Sequence, residues 1–154
     1  MRYRTEKAAG ILAVVREDGV TLARLNKVLG AERATGLVEG VPWTFDKHPD
    51  GIRTATSSLR PGVHFARSAG PFRAHWELVC GPTRYEIKRQ SPVARRYDVV
   101  RDGVVIGVSG GSMWWGIRPD LDVADDVPAA DAVFLLWVAL IMRTRSRREP
   151  MPRT

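Results

Sequence analysis

Only one cysteine, Cys80, stands in the 154 residues. That excludes an intramolecular disulfide framework and fits a reducing compartment. No apolar run reaches the ~20 residues needed to cross a bilayer's hydrocarbon core, so no transmembrane span is expected. Ala8–Val15 is mildly apolar, but Arg16, Glu17 and Asp18 follow it where a signal peptide would place a small-residue cleavage site. Cytoplasmic residence is the expectation, with peripheral contact at a membrane as its variant. There is no phosphate-cradling Gly-x-x-x-x-Gly-Lys-Ser/Thr loop. His48, His64, His75 and Cys80 share no Cys-x-x-Cys or His-x-x-x-His spacing, so neither metal nor cofactor is expected. Lysine is scarce as well. All but four of the 24 basic residues are arginine, and they are scattered along the chain.

What is present is a short stretch with no polar face. From Ala132 to Met142 every residue is apolar. A helix on a globular surface keeps a polar stripe, whereas one apolar all round must be surrounded. Fifteen helical residues, 128–142, reach ~22 Å, short of a ~30 Å bilayer core. The sheath is therefore expected to be the rest of the protein. Asp125 and Asp126 precede the helix and Asp131 falls in its first turn, at the positive end of its dipole. Pro128 can open it. Arg143, Arg145, Arg147 and Arg148 follow at the negative end, and Pro150 and Pro152 stop any continuation. Val133, Phe134, Leu136, Trp137, Leu140 and Ile141 are the expected core of this central helix.

The remainder reads as short strands. Ile11–Arg16 and Val20–Leu25 flank Glu17-Asp18-Gly19, a hairpin signal. Asn26–Thr35 is ambiguous, Gly36–Phe45 looks extended, and Ile52–Ser57 and Val63–Arg67 flank a turn at Pro61-Gly62. In Arg73–Cys80, Trp76, Leu78 and Cys80 face one way and His75 and Glu77 the other. In Thr83–Arg89, Tyr85 and Ile87 alternate with Arg84, Glu86 and Lys88. This period of two marks strands with one wet face. Tyr97–Arg101 and Val104–Ser109 flank Asp102-Gly103. Met113–Ile117, holding Trp114 and Trp115, is read as the last strand, and Pro119–Val127 as an acidic connection. Asp18, Asp50 and Asp102 each start an Asp-Gly with a small residue five places on: Ala23, Ala55 and Gly107. About eleven strands in one sheet tend to curl or close, and a closed barrel can wrap a helix on every side. The expected domain plan is a loose lead-in at 1–10, one barrel at 11–143 and a basic flexible tail at 144–154.

Short strands with Asp-Gly hairpins, the element Tyr-x-Val-x-x-Asp-Gly-x-x-x-Gly from Tyr97 to Gly107, and a hydrophobic C-terminal helix resemble the tubby C-terminal-domain-like superfamily. That group includes tubby proteins, phospholipid scramblases and LURP-one-related proteins. The likeness covers about Ile11 to Arg143. It implies a mostly β fold: a closed, roughly twelve-stranded antiparallel barrel with the helix threaded through it. It also implies a non-catalytic, lipid-binding or membrane-associated role. The chain departs from the scramblase pattern in lacking a cysteine cluster. Asp120, Asp122, Asp125 and Asp126 lack the glycine and terminal Glu of an EF-hand loop.

Gly107-Val108-Ser109-Gly110-Gly111 matches the Gly-x-Ser-x-Gly nucleophile elbow. The required strand-to-helix context is missing, and all three histidines come earlier in the chain. No enzyme is expected. The net charge of +7 and the isoelectric point of about 10.3 favour an anionic partner. Two basic groups could supply its site. One is Arg84, Lys88, Arg89, Arg95 and Arg96. The other is Arg143, Arg145, Arg147 and Arg148. Binding of anionic phospholipid or a membrane surface is the leading expectation. A protein-interaction scaffold with no small ligand is the alternative. Nucleic-acid binding ranks third, because no recognition helix or RNP-like aromatic run is present.

Overall fold

In the computed structural model, described at residues 1–8, 10–28, 32–69, 75–90, 96–110 and 119–148, twelve strands precede one helix. They are β1 (Arg2–Ala8), β2 (Ile11–Arg16), β3 (Thr21–Val28), β4 (Arg33–Val38), β5 (Val41–Lys47), β6 (Arg53–Ser57), β7 (Arg60–Ala69), β8 (His75–Cys80), β9 (Thr83–Arg89), β10 (Tyr97–Arg101), β11 (Val104–Ser109) and β12 (Asp120–Val123). The helix is α1 (Ala129–Arg148). Each strand pairs antiparallel with its neighbours in sequence, and β1 pairs with β12 to close the barrel. Closure removes the sheet edges that would otherwise invite pairing with another chain.

The lumen is filled by α1. Every residue from Asp131 to Met142 is at most 5% exposed, which accounts for a helix with no polar stripe. Phe45 on β5 stacks against Phe134 and Trp137, with ring centroids 6.4 and 5.6 Å apart. Trp76, Leu78 and Cys80 on β8, and Tyr85 and Ile87 on β9, turn inward as their alternation requires. No helix is long and apolar enough to cross a membrane among the described residues.

Several sequence expectations change. Residues 1–10 are not a loose lead-in: Arg2–Ala8 is the strand that closes the ring. Its alternation of charged and uncharged residues hides a half-buried strand in which Tyr3 and Thr5 face the interior. Asn26–Phe45 resolves into parts of β3, β4 and β5, with a Glu39-Gly40 turn at positive φ (48° and 76°) between the last two. Pro61-Gly62 lies inside β7, not in a turn. The acidic connection contains β12. The expected strand at Met113–Ile117 lies outside the described residues. The helix continues to Arg148, so residues 144–148 belong to it and not to a flexible tail.

The Asp-Gly echo has a structural basis at two of its three positions. After Asp18 the β2–β3 register skips Leu22 and resumes at Ala23; after Asp102 the β10–β11 register skips Ile106 and resumes at Gly107. Such one-residue bulges raise local twist and help a sheet curl. The β5–β6 register around Ala55 has no skip. Gly107 is further constrained, because a Cβ there would sit 2.1 Å from the Asp122 carbonyl oxygen on β12.

Strict alternation also sorts the connections between two ends. Those following β2, β4, β6, β8, β10 and β12 share one end, here the turn end. Those following β1, β3, β5, β7, β9 and β11 share the other, here the loop end. Helix α1 enters at the turn end and leaves at the loop end. The turn end collects Glu17, Asp18, Glu39, Asp102, Asp125 and Asp126, while the basic C-terminal half-turns of α1 emerge at the loop end.

Candidate anion site at the loop end of the barrel

One member of each basic group, Arg89 and Arg143, fifty-four residues apart in the chain, meets the other at this mouth. Alternation along β9 places Arg84 and Lys88 outward and exposed but turns Arg89 inward, beside Ile87 and Tyr85. The first arginine after the apolar run of α1, Arg143, reaches the same place. The two guanidinium carbons lie 5.7 Å (Arg89) and 5.1 Å (Arg143) from the ring centre of buried Tyr97 at the start of β10. Cation–π attraction holds charge at such distances. An Arg143 Nη donates to the Ser109 carbonyl at 3.4 Å, and an Arg89 Nη donates to the Tyr97 hydroxyl at 3.4 Å. Burial holds the Arg143 guanidinium below its ordinary pKa. Tyr97 and Asp120 oppose that shift, and the positive charge of Arg89 adds to it.

A third inward arginine, Arg53 on β6, completes the basic lining of the loop end. It is fully buried, donates to Glu32 at 2.6 Å and to the Gly51 carbonyl, and lies 5.3 Å from the Trp76 ring centre. Glu32 is also paired with Lys47 at 3.3 Å. Arg53 is therefore a structural ion pair rather than a charge offered to a ligand.

Of the remaining sequence candidates, Lys88 pairs with Glu86 at 3.1 Å. Arg96 is exposed, just before β10, and with Arg2, Tyr3, Asp120 and Asp122 lines an open cleft of about 370 Å³ over the β1–β12–β11 seam. Arg145, Arg147 and Arg148 are helical in backbone, and their side chains lie outside the described residues, as does all of Arg95. The helix residues Val133, Phe134, Leu136, Trp137, Leu140 and Ile141 are all at most 3% exposed.

The acidic group beside β12 is engaged by protein partners. Asp125 accepts a hydrogen bond from the Met1 amine at 2.6 Å, which raises the amine's pKa and lowers that of Asp125. Asp126 takes both terminal nitrogens of Arg101, at 3.2 and 3.1 Å. Asp120 accepts the Gly110 N–H at 2.8 Å. Ser109, the serine of the elbow-like motif, is fully buried, and its hydroxyl donates to the Asp120 carbonyl at 2.7 Å. Gly111 of that motif lies outside the described residues.

A second constellation, invisible in the spacing, sits at the turn end. Asp131 is buried, and its carboxylate meets His64 Nε2 on β7 at 2.9 Å and the Tyr85 hydroxyl on β9 at 2.7 Å. A carboxylate sealed from water needs such partners. Burial and the Asp131 charge, which also accepts its hydrogen bond, push the Tyr85 hydroxyl well above its ordinary range. Burial, then Asp131, push the Cys80 thiol up in the same way. Asp131 in an otherwise apolar stretch was the only signal of this cluster in the sequence. Its partners come from strands 46 and 67 residues away. Comparison with family models, with curated proteins and with solved structures found no match to this chain.

Proposed function

We propose that this chain is a non-catalytic, tubby-like barrel that binds the phosphates of an anionic lipid surface through its loop end. The observation that carries the reading is the convergence of Arg89 and Arg143 on Tyr97 at the mouth where the basic end of α1 emerges. Arginine suits phosphate because its planar fork offers paired donors. The resemblance in strand order, hairpin pattern and terminal helix supports the same reading, although a shared fold alone does not fix function. Exposed apolar side chains on the outer wall, Val104 at 64% and Val105 at 55%, favour the protein-interaction scaffold as the second reading.

Liposome flotation tests it. The purified protein is expected to float with vesicles containing anionic lipid and not with neutral ones. Reversing both Arg147 and Arg148, or Arg95 and Arg96, is expected to weaken flotation. At ~1 kcal/mol per basic residue lost, affinity should fall by at least about 30-fold for each pair, since reversal adds repulsion to the loss. The melting temperature is expected to hold, so that lost flotation reports binding and not unfolding. Salt should weaken binding as the Debye length shrinks from ~10 Å at 0.1 M to ~3 Å at 1 M. Excess duplex DNA at matched ionic strength should leave the protein on the vesicles; complete stripping would transfer the site to nucleic acid. Binding to neither at physiological salt would put the scaffold reading first.

A further inference from the structure

We propose that His64, Cys80 and Asp131 form a binding site for one divalent transition-metal ion of the zinc class. Each offers a ligand atom, and the three atoms lie within 4.8 Å of one another. Imidazole, thiolate and carboxylate are the donor set such an ion takes. Little movement is needed at the first pair. His64 Nε2 and Asp131 Oδ1 are 2.9 Å apart. Two ligands at ~2.0–2.1 Å in tetrahedral geometry sit only a few tenths of an ångström farther apart than that. Metal at this position takes the place of the proton between nitrogen and oxygen, which moves to His64 Nδ1 so that the imidazole stays neutral, and the Cys80 thiol proton is released to solvent.

Three further observations fit a metal better than a hydrogen-bond network alone. First, the other carboxylate oxygen, Oδ2, is already held by the Tyr85 hydroxyl at 2.7 Å. That leaves Oδ1 to ligate, the outer-shell arrangement that orients metal-binding carboxylates. Second, Cys80 is a free cysteine only 3% exposed, and its sulfur lies within 4.8 Å of a carboxylate oxygen of Asp131 and a ring nitrogen of His64. Third, the charges balance. A dication with one thiolate, one carboxylate and a neutral imidazole is neutral overall, and a neutral complex is the form a buried site tolerates. Entry is available because the His64 side chain keeps 14% of its surface exposed near the turn end. Its ring is otherwise clamped edge-on by Trp43 and Phe134, with centroids at 5.1 and 5.8 Å. The other cluster of potential ligands, His75, Glu77 and Glu86, lies on the partly exposed outer wall. Arg67 and Lys88 already neutralise its carboxylates. This inference is independent of the anion site at the opposite end.

Cobalt(II) is the probe. The full-length protein, stripped with a chelator, is titrated with cobalt chloride and followed by absorption. A single equivalent should produce the near-ultraviolet thiolate-to-cobalt charge-transfer band together with the intense visible bands of a four-coordinate ion, and zinc should displace both. Cys80→Ser should lose the charge-transfer band, and His64→Ala should lose the visible bands. Tyr85→Phe should keep the spectrum but weaken affinity about 10–100-fold, the usual cost of losing an outer-shell partner. Zinc should raise the melting temperature of the wild-type protein and not that of Cys80→Ser. The inference is overturned if excess cobalt gives no charge-transfer band in the wild-type protein, a result that requires no variant to fold. It is also overturned if the band survives in Cys80→Ser, which would place the metal elsewhere.

Discussion

Leu136 lies near the middle of α1 and is 2% exposed inside the barrel. Replacing it with alanine, Leu136→Ala, removes buried methyl groups and leaves a cavity, at a cost of about 2–5 kcal/mol. Leu136→Asp adds to that cost. The lumen around this residue is lined by apolar side chains, and a carboxyl placed there without a partner costs several kcal/mol more. The sum approaches the whole stability of a small domain, about 5–15 kcal/mol. The pH dependence follows from the same burial. The new carboxyl has a folded-state pKa above its unfolded value of about 3.9. Its charge penalty is therefore complete above the folded-state pKa and fades as pH falls toward the unfolded value, where both states are protonated. Urea unfolding of wild type, Leu136→Ala and Leu136→Asp at neutral and mildly acidic pH measures all three quantities. Leu136→Asp should unfold at the lowest urea concentration at neutral pH and recover toward Leu136→Ala as pH is lowered. If Leu136→Asp matches wild type at neutral pH, or its deficit is independent of pH, the helix is not enclosed as described.

Three other outcomes follow from the same architecture. Deleting Val127 to Thr154 should leave an insoluble or unfolded remainder, because the emptied barrel would expose an apolar lumen; a soluble, cooperative β-rich product on denaturation would refute enclosure. Gly107→Ala should lower the melting temperature well beyond the ~0.5 kcal/mol scale of ordinary surface changes, since its Cβ would lie 2.1 Å from the Asp122 oxygen and 2.6 Å from Val123 Cγ1; an unchanged melting temperature would refute the close β11–β12 approach. Cys80 should resist a thiol reagent in the native protein and react at the rate of an ordinary thiol in denaturant, because burial both shields it and raises its pKa; rapid native-state labelling would place it outside the barrel.

That the stretch from Ala132 to Met142 is a sheathed helix is legible in the residues alone, because local composition and length suffice to exclude both a surface and a bilayer. The inward face of β8 and most of β9 is legible there too, since alternation is a property of neighbours in the chain. The expected closed barrel follows from those two facts together: many short strands and one helix that must be wrapped. What escaped the sequence was whatever depended on distant pairing. Arg2–Ala8 looked like a lead-in because a strand's partner, here β2 on one side and β12 on the other, is not written in its own residues. Arg89 is a chain neighbour of outward Arg84 and Lys88, whereas its place in the alternation sends it inward to meet Arg143. Asp131 announced a buried charge without naming His64, Tyr85 or Cys80. Those partners are set by the order in which strands close around the helix, which no local stretch of residues encodes.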